Sequence, residues 1–170
     1  MEIRELKKEE FEEFKSEIQG AFQKGYEDYY GKCEKVVIPD KDIVESYTAE
    51  GSYSFVAVEN DEIIGGAIVV INDKTNRNHL DILYMKPDVQ SKGVGFALWK
   101  DMEERFPNTL VWKTCTPYFD KRNINFYINK CGFHIVKFYN EYYPDPHSSE
   151  DFIGDAGEGL FEFEKIMQGK

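Results

Sequence analysis

Residues His79–Phe106 read HLDILYMKPDVQSKGVGFALWKDMEERF, and the rest of the chain is organised around this stretch. His79, Asp81, Leu83 and Met85 alternate with Leu80, Ile82 and Tyr84, the period of a pleated segment, which predicts a strand. Pro87 ends this strand because proline cannot donate to a sheet ladder. From Val94 onward, apolar residues recur every fourth position, which predicts a helix that ends at Pro107.

Two glycines, Gly93 and Gly95, lie in the tight turn between this strand and this helix. The free N–H groups and the dipole at a helix N-terminus attract anions, and glycine lets a phosphate approach the backbone. The pattern therefore predicts a phosphate or pyrophosphate cradle over Gln90–Phe96. The alternative is that the glycines only allow close strand–helix packing. The P-loop pattern is absent, and Leu98 replaces the third small residue of a dinucleotide fingerprint.

Composition limits the classes of function. The 170 residues predict a single domain, residues 1–170, with one core. A net charge of −11 argues against nucleic acids and anionic membranes as partners. The N-terminus shows no secretory signal, and the longest apolar run, Ile63–Ile71, is too short to span a bilayer. Three cysteines without a C-x-x-C pair predict reduced thiols in the cytoplasm, and no metal site is expected.

Along the chain, the patterns predict a strand, two helices, three strands, a helix, a strand, a helix and two strands. Gly25 is expected to end the first helix, so that residues 27–30 form a polar and aromatic loop. Asn60-Asp61 is expected to turn a hairpin between the second and third strands. Runs of strands separated by helices predict an α/β fold with a mixed sheet.

Two motifs in this order resemble those of the GNAT superfamily of acyl-CoA-dependent N-acetyltransferases. The first is Gln90, Gly93 and Gly95 after a strand, and the second is the run NINFYINKCGF, Asn123–Phe133, after the next strand. The resemblance covers nearly the whole chain. It implies a GNAT-like fold, with a central mixed sheet of six to seven strands flanked by about four helices.

The resemblance also implies acetyl-CoA as cofactor. The residues that would bind its pyrophosphate are Gln90, Ser91, Lys92, Gly93, Val94, Gly95 and Phe96. The strand before this turn is expected to part from the following strand, so that the backbone at Leu83 and Met85 pairs with the pantetheine arm. Family members often carry Asn where this chain has Asp120. Asp120 is a good helix N-cap but no donor to the cofactor when ionised, and Asn123 is expected to donate in its place.

The implied reaction is attack of a neutral amine on the thioester. By this likeness, Tyr127 protonates the leaving thiolate and a backbone N–H near Leu83 stabilises the oxyanion. A core aromatic is the alternative for Tyr127. His79 and Asp81 are candidates for the general base, because alternation places them on one face and an imidazole accepts protons near neutrality. Water is an alternative base, and the alternative for His79 is a histidine at a strand end in solvent. Asp81 either acts itself, orients His79 or binds a loop.

The acceptor site in such proteins is built from the first-helix loop and the late strands. Residues assigned to it are Glu27, Tyr29, Tyr30 and Tyr142. These regions are acidic, and residues 141–164 contain no Lys or Arg. The sequence therefore predicts a cationic amine acceptor, such as a polyamine, an aminoglycoside-like compound, or a lysine or N-terminal amine of a peptide. The alternative is a solvated acidic loop.

Two other classes of function fit the sequence. One is a non-catalytic acyl-CoA-binding or regulatory module with the same fold. The other is a structural partner that associates through its Tyr- and Phe-rich surface. A homodimer is compatible with the sequence, although no stretch demonstrates one.

Overall fold

The computed structural model of the protein describes residues 1–90, 92–147, 151–154 and 157–168, which form seven strands and four α-helices. In chain order these elements are β1 (Glu2–Glu5), α1 (Phe11–Tyr30), α2 (Asp40–Thr48), β2 (Ser52–Glu59), β3 (Glu62–Val70), β4 (Arg77–Met85), α3 (Val94–Arg105), β5 (Val111–Pro117), α4 (Lys121–Asn125), β6 (His134–Tyr139) and β7 (Leu160–Ile166). The predicted order of elements and the predicted mixed sheet are confirmed.

The seven strands form one sheet in the order β1-β2-β3-β4-β5-β7-β6. All neighbours are antiparallel except β4 and β5, which run parallel. The register between β4 and β5 extends only from Arg77, opposite Val111, to His79, opposite Lys113. Beyond His79 the two strands part, which confirms the expected separation and leaves a gap between the later halves of both strands.

The first helix is longer than the sequence predicted. Gly25 lies inside α1, and the helix continues to Tyr30, so the loop expected at residues 27–30 is its last turn. An interior glycine costs only about 1 kcal/mol relative to alanine, which the packed face of α1 offsets. The helix instead ends at Gly31, whose φ of 83° lies in the left-handed region that favours glycine.

The strand predicted from His79 to Met85 is confirmed as part of β4, but a β-bulge interrupts its period of two. Ile68 of β3 pairs with Ile82, whereas the next residue, Val69, pairs with Leu80, so Asp81 is the extra residue on β4. The bulge puts Leu80 and Ile82 on opposite faces of the sheet. The sequence pattern gave no sign of this change, since both residues are apolar and two positions apart.

The core accordingly has two sides. On the α3 side, Leu80 packs in a cluster with Trp99, Trp112 and Phe163. On the α1 and α2 side, Ile82 packs with other apolar residues, among them Phe14, Ile18 and Ile43. Leu83 and Met85 pack on the α3 side. The sheet therefore has helices on both faces, and the end of β4 is held from both sides.

The three cysteines, Cys33, Cys115 and Cys131, are free thiols. Within the described residues, no helix combines the length and the apolar character that a membrane span needs.

Candidate active site

The glycine turn has the geometry of an anion site at the start of α3. Gly93 is the N-cap residue, with a φ of 84°, and a Cβ placed on it would have no atom within 4 Å. It has no side chain to cap the helix, and the first turn of α3 carries no acidic residue. The N–H groups at this helix start, and its dipole, are therefore free to face an anion.

Gly95 serves the other purpose considered for the two glycines. A Cβ on Gly95 would lie 2.8 Å from Cε and 2.9 Å from Sδ of Met85. Gly95 therefore permits the close packing of α3 on β4, while Gly93 leaves the turn open. Of the remaining predicted turn residues, Lys92 and Phe96 are exposed, Gln90 is half-buried and Val94 is buried. Ser91 lies outside the described residues.

Arg122 of α4 brings a positive charge to this turn, although the sequence analysis did not include it. Its Nη1 donates to Oε1 of Gln90. The two residues are far apart in the chain and meet only because α4 follows β5, the strand beside β4. A cation at a predicted pyrophosphate site is what the charge of the ligand requires. The signal available in the sequence was the position of Arg122, which directly precedes Asn123, the first residue of the second motif.

Tyr127 lies beside the gap between β4 and β5. It is 5% exposed, and its ring contacts Phe126, Phe133 and Phe163. Burial raises the pKa of Tyr127 above its usual value. The Thr114 hydroxyl donates to the Leu80 carbonyl at 2.9 Å, where the two strands part. Tyr127 is thus both a core aromatic and a protonated phenol at the gap.

The backbone around Tyr127 is helical, as predicted, but it is not a regular α-helix. Residues Phe126–Lys130 form a π-helical turn, in which the Cys131 N–H donates to the Phe126 carbonyl at 3.0 Å. Such turns are frequent at functional sites because they re-aim a side chain. At the start of α4, Asp120 accepts from the Asn123 N–H at 3.0 Å, so the predicted N-cap is confirmed. Asn123 itself is half-buried.

His79 and Asp81 contact each other, with Nδ1 of His79 2.6 Å from Oδ1 of Asp81. The carboxylate lies outside the angular range of a hydrogen bond from the ring, so this is a close polar contact. The other oxygen of Asp81 accepts from the Ser46 hydroxyl of α2 at 2.7 Å. Ser46 is 9% exposed and was absent from the sequence analysis, because nothing in the sequence relates α2 to the bulge in β4.

A cavity of about 820 Å³ opens at these three residues. Its walls come from α1, α2, β4, β5, the end of β6 and the connection to β7. The ionisable side chains that line it are Asp42, Glu45, His79, Asp81, Cys115, Tyr139, Glu141, Asp145 and His147. Among the described residues that line it there is no Lys or Arg. The cavity therefore favours a positively charged ligand.

The four residues assigned to the acceptor do not line this cavity. Tyr29 and Tyr30 pack against Phe119, and the Tyr30 hydroxyl donates to Glu158 at 2.7 Å. Glu27 accepts from the Cys33 N–H just beyond the end of α1. Tyr142 is 89% exposed. Their assignment to the acceptor site stays a prediction. Residues of the same late region, Glu141, Asp145 and His147, do line the acidic cavity, together with residues of α2 and β4.

Known proteins share this sequence pattern and this architecture. The family model described as the acetyltransferase (GNAT) family matches residues 3–133. The uncharacterised protein YrkN of Bacillus subtilis (strain 168) is 43% identical over 175 residues, which cover 99% of this chain and 95% of YrkN. The ribosomal-protein-S18-alanine N-acetyltransferase of Escherichia coli has a TM-score of 0.71 at 16% identity, covering 99% of this chain and 96% of its own. The PaiA N-acetyltransferase of Thermoplasma acidophilum, in complex with coenzyme A, has a TM-score of 0.69 at 19% identity, covering 98% of each chain. These likenesses confirm the predicted fold.

Proposed function

Because this chain belongs to the GNAT acetyltransferase family, we propose that it transfers an acetyl group from acetyl-CoA to a primary amine of a small-molecule or peptide acceptor. Transfer is direct, within a ternary complex. The observation that carries the proposal is the parting of β4 from β5 beyond His79. β4 contributes His79 and Asp81 to the acidic cavity and leads, past Met85, into the glycine turn.

The turn residues fit the pyrophosphate of acetyl-CoA. Gly93 leaves open space at the helix start, and Arg122 and Lys92 supply positive charge there. No residue of β5 is registered against Leu83 or Met85, so the backbone at these positions faces the gap where we place the pantetheine arm. Asn123 is proposed as a further donor to the cofactor. The complex of the PaiA neighbour with coenzyme A is in keeping with this assignment.

In the proposed reaction, the thiolate that leaves takes a proton from Tyr127. Burial raises the pKa of this phenol, so the proton is present at neutral pH. The N–H near Leu83 stabilises the oxyanion. A base at the cavity, His79 or Asp81 or water, removes a proton from the acceptor so that the amine attacks as a neutral nucleophile.

The acidic cavity supports a cationic acceptor. Two carboxylates of α2, Asp42 and Glu45, and two of the later loop, Glu141 and Asp145, line it along with Asp81. A polyamine, an aminoglycoside-like compound, or the lysine or terminal amine of a peptide carries the matching charge. Carboxylates that merely face solvent would give no such preference.

Calorimetric titration with acetyl-CoA tests the cofactor site. We expect the wild-type protein to bind, and Gly93→Glu to bind at least about a hundredfold more weakly, because a bulky anion would occupy the phosphate position. Gly31→Glu is the matched control, since Gly31 has a φ of 83° and equally open surroundings. Loss of binding in both variants would point to backbone strain, and an absence of binding in the wild type would refute the proposal.

Release of coenzyme A on adding amines then separates an enzyme from a non-catalytic acyl-CoA-binding module. A suitable panel is 1,4-diaminobutane, butylamine, 4-aminobutyrate and a short peptide with a free N-terminus. We expect the dication to be the best and the amine with a carboxylate to be the poorest acceptor. Acetyl-CoA binding without release for any amine would favour the module. A cytoplasmic location and a homodimer stay predictions.

A further inference from the structure

We propose that Ser46, Asp81 and His79 form a functional chain in which His79 is the general base and the other two are positioning residues. The inference rests on the acetyl transfer proposed above and assigns the base that the sequence left open. It is carried by two contacts: Ser46 Oγ to Asp81 Oδ2 at 2.7 Å, and Asp81 Oδ1 to His79 Nδ1 at 2.6 Å.

The role of Asp81 follows from its two neighbours. One carboxylate oxygen accepts from Ser46 and the other lies against His79, so each oxygen is already engaged within the protein. The bulge at Asp81 turns this carboxylate away from the regular pleat, toward the α2 side. A carboxylate held at both oxygens orients its neighbour better than it accepts a substrate proton. Asp81 is therefore a positioning residue.

The role of His79 follows from which ring nitrogen is shielded. Nδ1 is buried and has no hydrogen-bond partner among the described residues, with the Asp81 carboxylate as its close neighbour. A negative charge this close to Nδ1 favours the positive end of an N–H bond over the electron density of a lone pair at that atom, so we expect the neutral ring to carry its proton on Nδ1. The side chain is 38% exposed, so its Nε2 edge is the part that faces the cavity. Nε2 is then the proton acceptor.

Every proton in the proposed acetyl transfer can be accounted for. The ammonium of the acceptor first gives one proton to His79 Nε2, which releases it to the solvent. The neutral nitrogen then bonds to the acetyl carbon, the C–S bond breaks, and the second proton that the nitrogen loses passes to His79 Nε2. The leaving thiolate takes the Tyr127 proton, and the imidazolium formed beside Asp81 later returns its proton through the solvent to the phenolate. The products are the N-acetyl amine and coenzyme A.

Several titratable groups on neighbouring elements share the cavity with His79. Those that line the same cavity are Asp42 and Glu45 of α2, Cys115 of β5, Tyr139 of β6, and Glu141, Asp145 and His147 of the loop. Lys113, in register with His79 on β5, lies 3.4 Å from Glu164. Most of these groups are acidic, and among the described residues Asp81 is the one with a recorded polar contact to the His79 ring. The assignment of His79 as the general base therefore depends on its contact with Asp81.

The first test uses the complete protein and needs no acceptor. Nitrogen-15 spectra of the histidine rings, with His79 assigned through His79→Gln, report which nitrogen carries the proton when the ring is neutral. We expect the Nδ1–H tautomer in the wild type, and a smaller share of it in Ser46→Ala. Thr48→Ala is the matched control, because its hydroxyl lies on the same helix and donates to the Val44 carbonyl. An Nε2–H tautomer in the wild type would overturn the inference.

The second test measures acetylation of 1,4-diaminobutane across pH. We expect Ser46→Ala to lower kcat/KM about fivefold to tenfold, as loss of a hydrogen bond to a charged group does, and Ser46→Thr to restore most of it. Asp81→Asn should lower kcat/KM at least as much as Ser46→Ala, because it changes the group that contacts both Ser46 Oγ and His79 Nδ1. In a His79→Gln background, Ser46→Ala should have no further effect.

The outcomes separate this inference from the proposed function. A wild-type protein that neither binds acetyl-CoA nor acetylates an amine refutes the proposed function. A protein that acetylates amines, but whose His79→Gln variant keeps the wild-type ascending limb, refutes the chain alone. Equal losses from Ser46→Ala with and without His79 would also refute it, because Ser46 would then act through the packing of α2.

Discussion

The two regions joined by β4 differ in how they are built and in the charge they carry. The turn at residues 90–96 is a continuous segment, open at Gly93 and supplied with positive charge by Lys92 and Arg122. The cavity at His79 is assembled from side chains of separate elements, and its charged lining residues are acidic apart from two histidines. One region suits a polyanion and the other a polycation.

This difference shows that a net charge of −11 is not spread evenly over the molecule. The first turn of α3 carries no acidic side chain, whereas five carboxylates line the cavity. If the two regions bind the ligands proposed above, each would repel the other's ligand, because that ligand carries the same sign of charge as the site. Variants that affect one region without the other are therefore the way to test the comparison.

The largest effect is expected at the junction of the two regions. Tyr127→Phe should lower kcat by about a hundredfold, since general acid catalysis typically contributes 10²–10⁴-fold, and leave the Kd for acetyl-CoA nearly unchanged. Steady-state kinetics and calorimetry on the same protein give both values. Tyr84→Phe is the control, because it removes another buried phenol, one that donates to Glu17 at 2.6 Å. Full activity of Tyr127→Phe would leave Tyr127 only its role in the core.

A smaller effect is expected when the cation at the turn is removed. Arg122→Ala should weaken acetyl-CoA binding about tenfold, or about 1.4 kcal/mol, without changing the Michaelis constant for the amine. The loss should shrink as salt is added, because the missing contribution is Coulombic. Arg77→Ala removes an arginine from the far end of β4, where it lies 3.4 Å from Glu164, and should leave acetyl-CoA binding intact. Equal losses of acetyl-CoA affinity in both variants would mean that the charge of Arg122 has no particular role at the turn.

A still smaller effect is expected in the cavity. Glu45 is exposed and lines the cavity wall, so Glu45→Gln should raise the Michaelis constant for the diamine about threefold, the scale of a solvent-screened charge. The Kd of acetyl-CoA should stay unchanged. Glu59→Gln, at the exposed end of β2, removes one charge away from the cavity and should have no effect. An equal rise in the Michaelis constant for 4-aminobutyrate would count against charge recognition.

The features that could be predicted from the sequence are the local ones, whereas those that depend on tertiary contacts could not be predicted. The turn, α3 and the order of elements are local patterns, so period, glycine and proline were sufficient to find them. The end of α1 could not be placed, because packing of its apolar face outweighs the small cost of Gly25. The bulge at Asp81 could not be found either, since it depends on the register with β3.

The candidate site was predicted in part for the same reason. His79 and Asp81 are neighbours within one strand, and alternation brought them together even though the bulge changed the faces of the residues around them. Ser46 and Arg122 reach the site through tertiary contacts alone, from α2 and α4. No local pattern links a serine in the second helix to an aspartate 35 residues later.

The smallest effect is expected at the alkaline end of the pH profile, where kcat should stay constant. Burial raises the pKa of Tyr127 above the ordinary value of 10.0, so the phenol keeps its proton throughout the neutral and mildly alkaline range. The proposed acid is thus competent wherever the amine is neutral, and kcat should show no descending limb below the ordinary phenol pKa of 10.0. Stopped assays corrected for spontaneous thioester hydrolysis measure this. A descending limb in the mildly alkaline range that persists in Cys115→Ser would contradict this expectation. Tyr127 in its buried position keeps its proton in that range, so another group, with an ordinary or lowered pKa, would then give the thiolate its proton.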